Sequence, residues 1–315
     1  MGFVEPLARG TGEISLSLNS GVGSSGTVNF NGSVAPVFSD ASAPAFNDVN
    51  VNNTGGVTPD IGWTVGGTFT VGSGATFNDG SLTNTFSGSF TNNGTVNQTG
   101  TLLFNPSGPV TLTFLGTAFT SSGTVEFDGS GDITVAGGAP TFSAVDITNS
   151  SVGGVTPVSN WIVLGNLFIA AGSTLNGGSG LSHTVTGDWT NNGTFDGGTS
   201  TVTLNSPTGS VIAGSGNTTF GNLDITGIVT ASSEFNVGGD FSDNGTFDAT
   251  GVNVSFTGGS PSSIGGTTTP VPFDMLTIAK SSAAATLAAD LTGLTALTVS
   301  GGTLDLSTFT VTQGL

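Results

Sequence analysis

The sequence contains no cysteine and very few positive charges. Its 315 residues include two Lys or Arg and 20 Asp or Glu, so the formal net charge is −18. A protein that binds nucleic acid needs a basic face to displace counterions, and we exclude that class. The same shortage of positive charge argues against binding of an anionic lipid or of a phosphate-bearing substrate. Without cysteine the chain forms no disulfide bond, which fits the cytosol or a bacterial surface protein that avoids thiols.

Long hydrophobic runs are also missing. The best one, residues 161–172, is about twelve residues long and is interrupted by Gly165 and Asn166. A transmembrane helix needs roughly 20 apolar residues, so we predict no membrane insertion. No signal peptide is visible at the N-terminus, and we interpret the chain as a mature form or an excised segment. Apolar residues throughout the chain argue against disorder, and its many Thr, Asn, Gly and Ser residues favour an extracellular or cell-surface location.

Internal repeats are the most informative feature of the chain. An Asn-Asn-Gly-Thr or Asp-Asn-Gly-Thr core recurs in residues 85–96, 184–195 and 236–247. A second family, Phe-x-x-(Val/Leu)-x-(Val/Ile), occurs at 46–51, 142–147, 220–225 and 273–278. Each step is close to 25 or to 50 residues: the values are 48, 48, 51, 27, 25 and 28 for the successive landmarks Phe46, Gly94, Phe142, Gly193, Phe220, Gly245 and Phe273. A solenoid tolerates the loss of whole coils because each coil contacts only its neighbours, and this spacing therefore predicts one.

The local pattern within each repeat indicates β-strands. Apolar and polar residues alternate with period two at 111–114, 201–204 and 304–306. Asn-Gly and Asp-Gly turns separate such segments. We predict an all-β, parallel β-solenoid (β-helix) of about 25 residues per coil, with Phe and Trp stacked inside and rows of Thr, Ser and Asn facing water. Since Asn-Gly also suits hairpins, tandem antiparallel β-sandwich modules are the alternative.

One part of the chain resembles a known class of protein. The string Gly-Asp-Trp-Thr-Asn-Asn-Gly-Thr-Phe at 187–195, followed by strands at 201–204 and 220–225, resembles the repeats of bacterial extracellular β-strand-repeat surface proteins. The resemblance covers the chain from about residue 24 onward. It implies an adhesin-like parallel β-helix outside the cell and no catalytic residues. The predicted domains are an N-terminal edge or assembly segment, 1–23, and a continuous solenoid, 24–315.

Catalytic residues are scarce. The single histidine, His183, matches Asn84 in an earlier repeat, and we interpret it as an exposed strand residue without a catalytic role. No nucleophile-elbow motif accompanies it. A polysaccharide lyase needs cationic groups, and Arg9 and Lys280 are the only candidates. No pair of carboxylates stands out for glycoside hydrolysis. We therefore predict that the protein is not an enzyme and has no cofactor.

Calcium is the one ion that the sequence suggests. Asp128 and Asp132 place two carboxylates four residues apart in a Gly-rich loop, a fragment of a hard-cation site. The loop lacks the distal Glu of an EF-hand. Thr-x-Thr pairs at 111/113, 184/186, 201/203 and 310/312 are unevenly spaced, which argues against an ice-binding or carbohydrate-binding lattice. Polysaccharide is still a partner that the sequence leaves open.

The two ends of the chain suggest self-assembly. A monomeric solenoid needs caps over its strand edges, usually charge, Pro or a helix. Both ends instead read as plain alternating strands, and the predicted edge residues are Glu13, Ile14, Leu16, Leu18, Phe309, Val311 and Leu315. We predict head-to-tail pairing of these edges, as in an extracellular structural filament or matrix subunit. The alternative is a stalk or passenger segment of a large adhesin that binds a carbohydrate or surface ligand.

Overall fold

The structure, a computed structural model, describes residues 14–16, 26–38, 42–115 and 118–314. Every regular element in these residues is a β-strand, and every described ladder of strands is parallel. The predicted parallel β-solenoid is thus confirmed, with about 13 turns in the described part of the chain. The antiparallel sandwich alternative does not apply. The predicted boundary at residue 23 lies outside the described residues.

The chain forms two compact units, residues 1–155 and 156–315. In the first unit, three ladders of parallel strands form the sides of the coil. Ladder A contains Thr27–Gly32, Asp48–Asn53, Phe69–Val71, Phe90–Asn92, Val110–Phe114 and Ile133–Gly137. Ladder B contains Thr76–Asn78, Thr95–Gln98 and Ala118–Ser121. Ladder C contains Ala45–Phe46, Thr64–Val65, Thr83–Phe86, Thr101–Phe104, Thr124–Phe127 and Ala144–Ile147. Outside these ladders lie Ile14–Leu16, Pro36–Phe38 and Thr141–Phe142.

The second unit is also built from three ladders. Ladder D contains Ile162–Val163, Ser182–Val185, Thr201–Leu204, Asn222–Ile225, Phe241–Asp243 and Ser262–Gly265. Ladder E contains Leu167–Ile169, Trp189–Asn191, Ser210–Ala213, Ile228–Ala231 and Thr246–Asp248. Ladder F contains Thr174–Asn176, Thr194–Asp196, Asn217–Phe220, Phe235–Val237 and Asn253–Phe256. The long strands Met275–Leu287 and Ala296–Asp305 continue ladders D and F. Val271–Pro272, Leu291–Leu294 and Val311–Gln313 pair with one another, and Val155–Pro157 spans the division between the units.

Coil length differs from the prediction. Neighbouring coils are roughly 21 residues apart, where the repeat spacing predicts about 25. The reason lies in the landmarks, because two copies of the Asn-Gly motif follow strands on different sides of the coil. Trp189–Asn191 belongs to ladder E and Phe241–Asp243 to ladder D. The two steps between these copies, 27 and 25 residues, therefore do not add up to a whole number of coils. Each of the two steps overestimates the coil length.

The interior is filled by aromatic side chains in register, as predicted. Period-two alternation turns one residue in two inward, and in ladder C this places Phe86, Phe104 and Phe127 on successive strands. All three are at most 1% exposed, and their ring centroids are 5.6 and 5.7 Å apart along the column. Trp189 packs against Phe195 in the second unit, with centroids 4.6 Å apart. Stacking of like side chains in successive coils thus forms one continuous core in each unit.

Candidate functional site

The last described coil, residues 296–314, exposes one edge of the second unit. Its strand Ala296–Asp305 pairs with Met275–Leu287, and no other strand of the described residues has a register with it. Within the part of the chain that the structure describes, the N–H and C=O groups of its second backbone edge have no partner strand. Such an edge is a template for pairing with another strand.

Core positions become exposed in this coil. In the preceding coil, three inward residues are at most 1% exposed: Leu276, Ile278 and Ala285. Their register partners one coil later are Leu297, Val299 and Leu304. Two of these are half-buried and Val299 is 51% exposed. The apolar row of the core thus continues into the last coil, where it faces solvent on one side.

The structure describes only some of the predicted edge residues. Phe309 and Val311 are half-buried in the last coil, and the strand that holds Val311 pairs with Leu291–Leu294. Ile14 and Leu16 belong to a strand that pairs with Pro36–Phe38. Glu13, Leu18 and Leu315 lie outside the described residues. Self-assembly through these edges stays a prediction.

Rows of polar side chains run along the outside of the ladders. In ladder A, the amide Nδ2 of Asn50 donates to Oδ1 of Asn29 at 2.9 Å, and Asn52 does the same to Asn31 at 3.2 Å. The outer row of ladder F joins seven polar residues in register: Asn176, Asp196, Thr219, Asn236, Ser255, Thr277 and Thr298. One of these seven side chains is charged. The predicted rows of Thr, Ser and Asn facing water are therefore present.

Two pairs of outward-facing carboxylates were not expected from the sequence. Glu126 and Asp146 are register neighbours in ladder C, and burial raises the pKa of the Asp146 carboxyl. Asp224 and Asp240 line a groove of about 300 Å³ on the ladder D side. Hydrogen bonds already occupy one oxygen of each, from Asn244 Nδ2 to Asp224 and from the Ser263 N–H to Asp240. The alternation of apolar and polar residues in each strand indicates that these carboxylates point outward. Only the register between coils brings the two members of each pair together.

Asp128 and Asp132, the predicted calcium ligands, bond to different parts of the coil. Asp128 is half-buried and its Oδ2 accepts a hydrogen bond from Asn105 Nδ2 at 3.1 Å. Asp132 is exposed and its Oδ1 accepts a hydrogen bond from the Gly153 N–H at 3.1 Å. Among the described residues, no three acidic, His or Cys side chains cluster around a metal position. Calcium binding at this loop stays a prediction.

His183 is buried, so the prediction of an exposed strand residue is wrong. Its exposed fraction is 7%, because period-two alternation turns it inward together with Val185. Nδ1 accepts a hydrogen bond from the Trp161 N–H at 3.2 Å, and Nε2 lies 2.8 Å from the carbonyl oxygen of Gly177. Burial lowers the pKa of this imidazole, and the bond to Gly177 opposes that shift.

Asn84 makes the same two contacts in the first unit. Its Oδ1 accepts from the Trp63 N–H at 3.0 Å, and its Nδ2 donates to the Asp79 carbonyl oxygen at 3.1 Å. The match between His183 and Asn84 that the sequence suggests is thus present in the hydrogen bonding. Both side chains hold a tryptophan backbone in place.

Lys280 is the buried cation of the second unit. Its side chain is 1% exposed, and Nζ lies 2.7 Å from Ser262 Oγ, which resembles a serine nucleophile with a lysine base. A general base needs a free lone pair, however, and here two carbonyl oxygens also accept from Nζ. Burial lowers the pKa of the amine, and nearby Asp240 acts in the opposite direction. Three acceptors for three ammonium protons suit a structural link between coils.

Inward Asn and Asp residues close the corners of the coil. Asn191 Oδ1 accepts from the Gly193 N–H at 2.9 Å, while its Nδ2 donates to the Asn217 carbonyl and to Thr218 Oγ1. Asp243 takes the same position in the third copy of the motif, and its Oδ1 accepts from the Gly245 N–H. Its Oδ2 is buried and has no hydrogen-bond partner. Burial raises the pKa of this carboxyl.

Comparison with protein-family models, with curated proteins and with solved structures gives no match to this chain. The resemblance to bacterial surface-protein repeats therefore stays a prediction. The described residues include no helix that could cross a membrane. Of the features above, the open edge of the last coil is the one that offers the outside both an unpaired backbone and an apolar row.

Proposed function

We propose that this chain is an extracellular structural protein, the subunit of a cell-surface or matrix filament that assembles head-to-tail through its strand edges. The single observation that carries the proposal is the last coil, where core positions are half-exposed and the outer backbone edge of Ala296–Asp305 is unpaired in the described residues. A parallel strand from a second copy would extend the ladder by β-augmentation and cover Leu297, Val299 and Leu304. A contact of this kind does not close, so it generates a filament.

The rest of the molecule supports a structural role and not a catalytic one. Outer Asn side chains form uncharged hydrogen-bonded rows, as between Asn29 and Asn50 and between Asn31 and Asn52. The buried polar groups are used to join coils, as in the three bonds of Lys280. Because each copy carries a net charge of −18, the outer faces of different copies repel one another. The strand edges are then the surfaces through which two copies attract each other.

Sedimentation velocity over a range of concentrations tests the proposal. We expect the wild-type chain to form larger species as its concentration rises. Val299→Lys puts a charge into the apolar row of the edge and should leave a monomer. Thr298→Lys is the matched control, because it adds the same charge to the outer row of the same strand and should assemble like the wild type. A wild-type chain that stays monomeric at every concentration, with or without calcium, contradicts the proposal.

The second candidate is a stalk or passenger segment of an adhesin that binds a polysaccharide. The observation that favours it is the outer row of ladder F, where seven polar groups repeat at one strand spacing. Hydroxyl and amide groups in such a row can bond to the hydroxyls of a sugar polymer. Co-sedimentation with an insoluble polysaccharide tests this, with Thr277→Leu as the variant that should weaken binding. Equal binding by the variant contradicts it.

A further inference from the structure

One hydrogen bond between coils of the second unit is of a kind that only neutral histidine can accept. The Trp161 N–H donates to His183 Nδ1, so the neutral tautomer with its proton on Nε2 is the one that fits. That Nε2 proton is directed to the carbonyl oxygen of Gly177 at 2.8 Å. A second proton on Nδ1 would oppose the Trp161 N–H directly, and the bond would be lost.

No charged partner is placed to stabilise the protonated ring. The strands packed around His183 are Ile162–Val163, Thr174–Asn176, Trp189–Asn191, Thr194–Asp196 and Thr201–Leu204. Asp196 carries the one ionisable side chain on these five strands. It is exposed, and its Oδ1 accepts from the Gly198 N–H. An imidazolium at His183 would therefore be buried without a counterion, which is strongly unfavourable.

A small cavity lies beside His183 in the core of the second unit. Its volume is about 10 Å³, and His183, Trp161, Trp189 and neighbouring aliphatic residues line it. This volume is at the lower limit for one water molecule.

We propose that His183 makes the coil from Trp161 to Val185 an acid-sensitive element, which loosens when the imidazole is protonated and closes again at neutral pH. Asn84 gives the first unit the same hydrogen bonds without a titratable group. The first unit therefore serves as an internal reference. This inference does not depend on the proposed filament, since it concerns the core of one chain.

Hydrogen exchange measured by mass spectrometry at pH 7.5 and pH 5.0 tests the proposal, after correction for the intrinsic exchange rate. Unfolded histidine titrates near 6.5, so the opening equilibrium of segment 161–185 should rise by up to about 30-fold between these pH values. Segment 63–86, which contains Asn84, should change much less. In His183→Asn the acid effect on segment 161–185 should disappear. Equal acid sensitivity in wild type and variant overturns the proposal.

A second measurement needs no variant, and it decides the matter if His183→Asn fails to fold. The chain has one histidine, so its NMR signals are assigned without ambiguity. We expect a neutral ring protonated on Nε2 at pH 7.5, and changes in the Trp161 amide signal that coincide with titration of the imidazole. Titration of His183 at its ordinary pKa, with the Trp161 amide unchanged, overturns the proposal.

Discussion

The Nζ atom of Lys280 lies 2.7 Å from Ser262 Oγ and also 2.7 Å from the carbonyl oxygens of Gly238 and Thr257. These partners are 42, 23 and 18 residues away in sequence, for Gly238, Thr257 and Ser262 respectively. One side chain thus joins its own coil to the two that precede it. A buried charge is tolerated here because each of its protons meets an acceptor.

Removing the Lys280 ammonium should destabilise the second unit. Lys280→Met keeps the length of the side chain but removes the ammonium donor from Ser262 Oγ and from the half-buried carbonyls of Gly238 and Thr257. Each unsatisfied group costs about 1–3 kcal/mol, so the melting temperature should fall clearly. Ser282→Ala, which removes an exposed hydroxyl from the same strand, should change it little. A Lys280→Met variant as stable as the wild type would show that the three bonds contribute nothing.

Replacing Asp243 by Asn should stabilise the protein at neutral pH. Asn replaces a buried carboxylate, whose Oδ2 has no partner, by an uncharged amide, the group that Asn191 supplies at the same position in its own coil. Because burial raises the pKa of Asp243, its contribution to stability is present below the unfolded pKa and is lost as pH rises through the folded pKa. The gain should be about 1–2 kcal/mol at pH 7 and should shrink toward pH 4. Melting curves at both pH values measure it, and a gain that is equal or larger at pH 4 contradicts this reasoning.

Shortening one side chain of the aromatic column should have a large but local effect. Phe104→Ala leaves a cavity between Phe86 and Phe127 and should cost about 3–5 kcal/mol. Hydrogen exchange should accelerate in the coils around residues 83–127 and much less in distant ones, because coils contact only their neighbours. Leu103→Ala, on the outer side of the same strand, is the control and should change little. Uniform acceleration over the whole chain would argue against independent coils.

Much of the fold follows from local pattern. Alternation and turn residues predict the strands, and repeats of unequal length predict a solenoid. The same alternation also indicates that His183 and Lys280 point inward, since they share a face with Val185 and Ile278. Assigning His183 to the surface relies on its match with the polar residue Asn84, but the strand pattern around His183 argues otherwise.

The partners of these groups could not be predicted. Which carbonyl meets Lys280 depends on the register between coils, and coil lengths vary with the turns. The Trp161 N–H that meets His183 is 22 residues away. The pairing of Asp224 with Asp240 in one groove likewise depends on a short coil between them. Register of this kind is a property of the stacked structure and leaves no local trace in the sequence.

The most direct test of the account measures distances along one outer row. Since the chain has no cysteine, pairs of cysteines can be introduced for spin labels without background. Asn176 and Thr298 are six register steps apart in ladder F. Parallel stacking at about 4.8 Å per strand predicts a separation of about 29 Å for this pair, and about 14 Å for Asn176 with Asn236. Pulsed electron spin resonance should give distances that increase in proportion to the number of steps. Distances that do not increase with the number of steps would contradict a parallel solenoid and every proposal built on it.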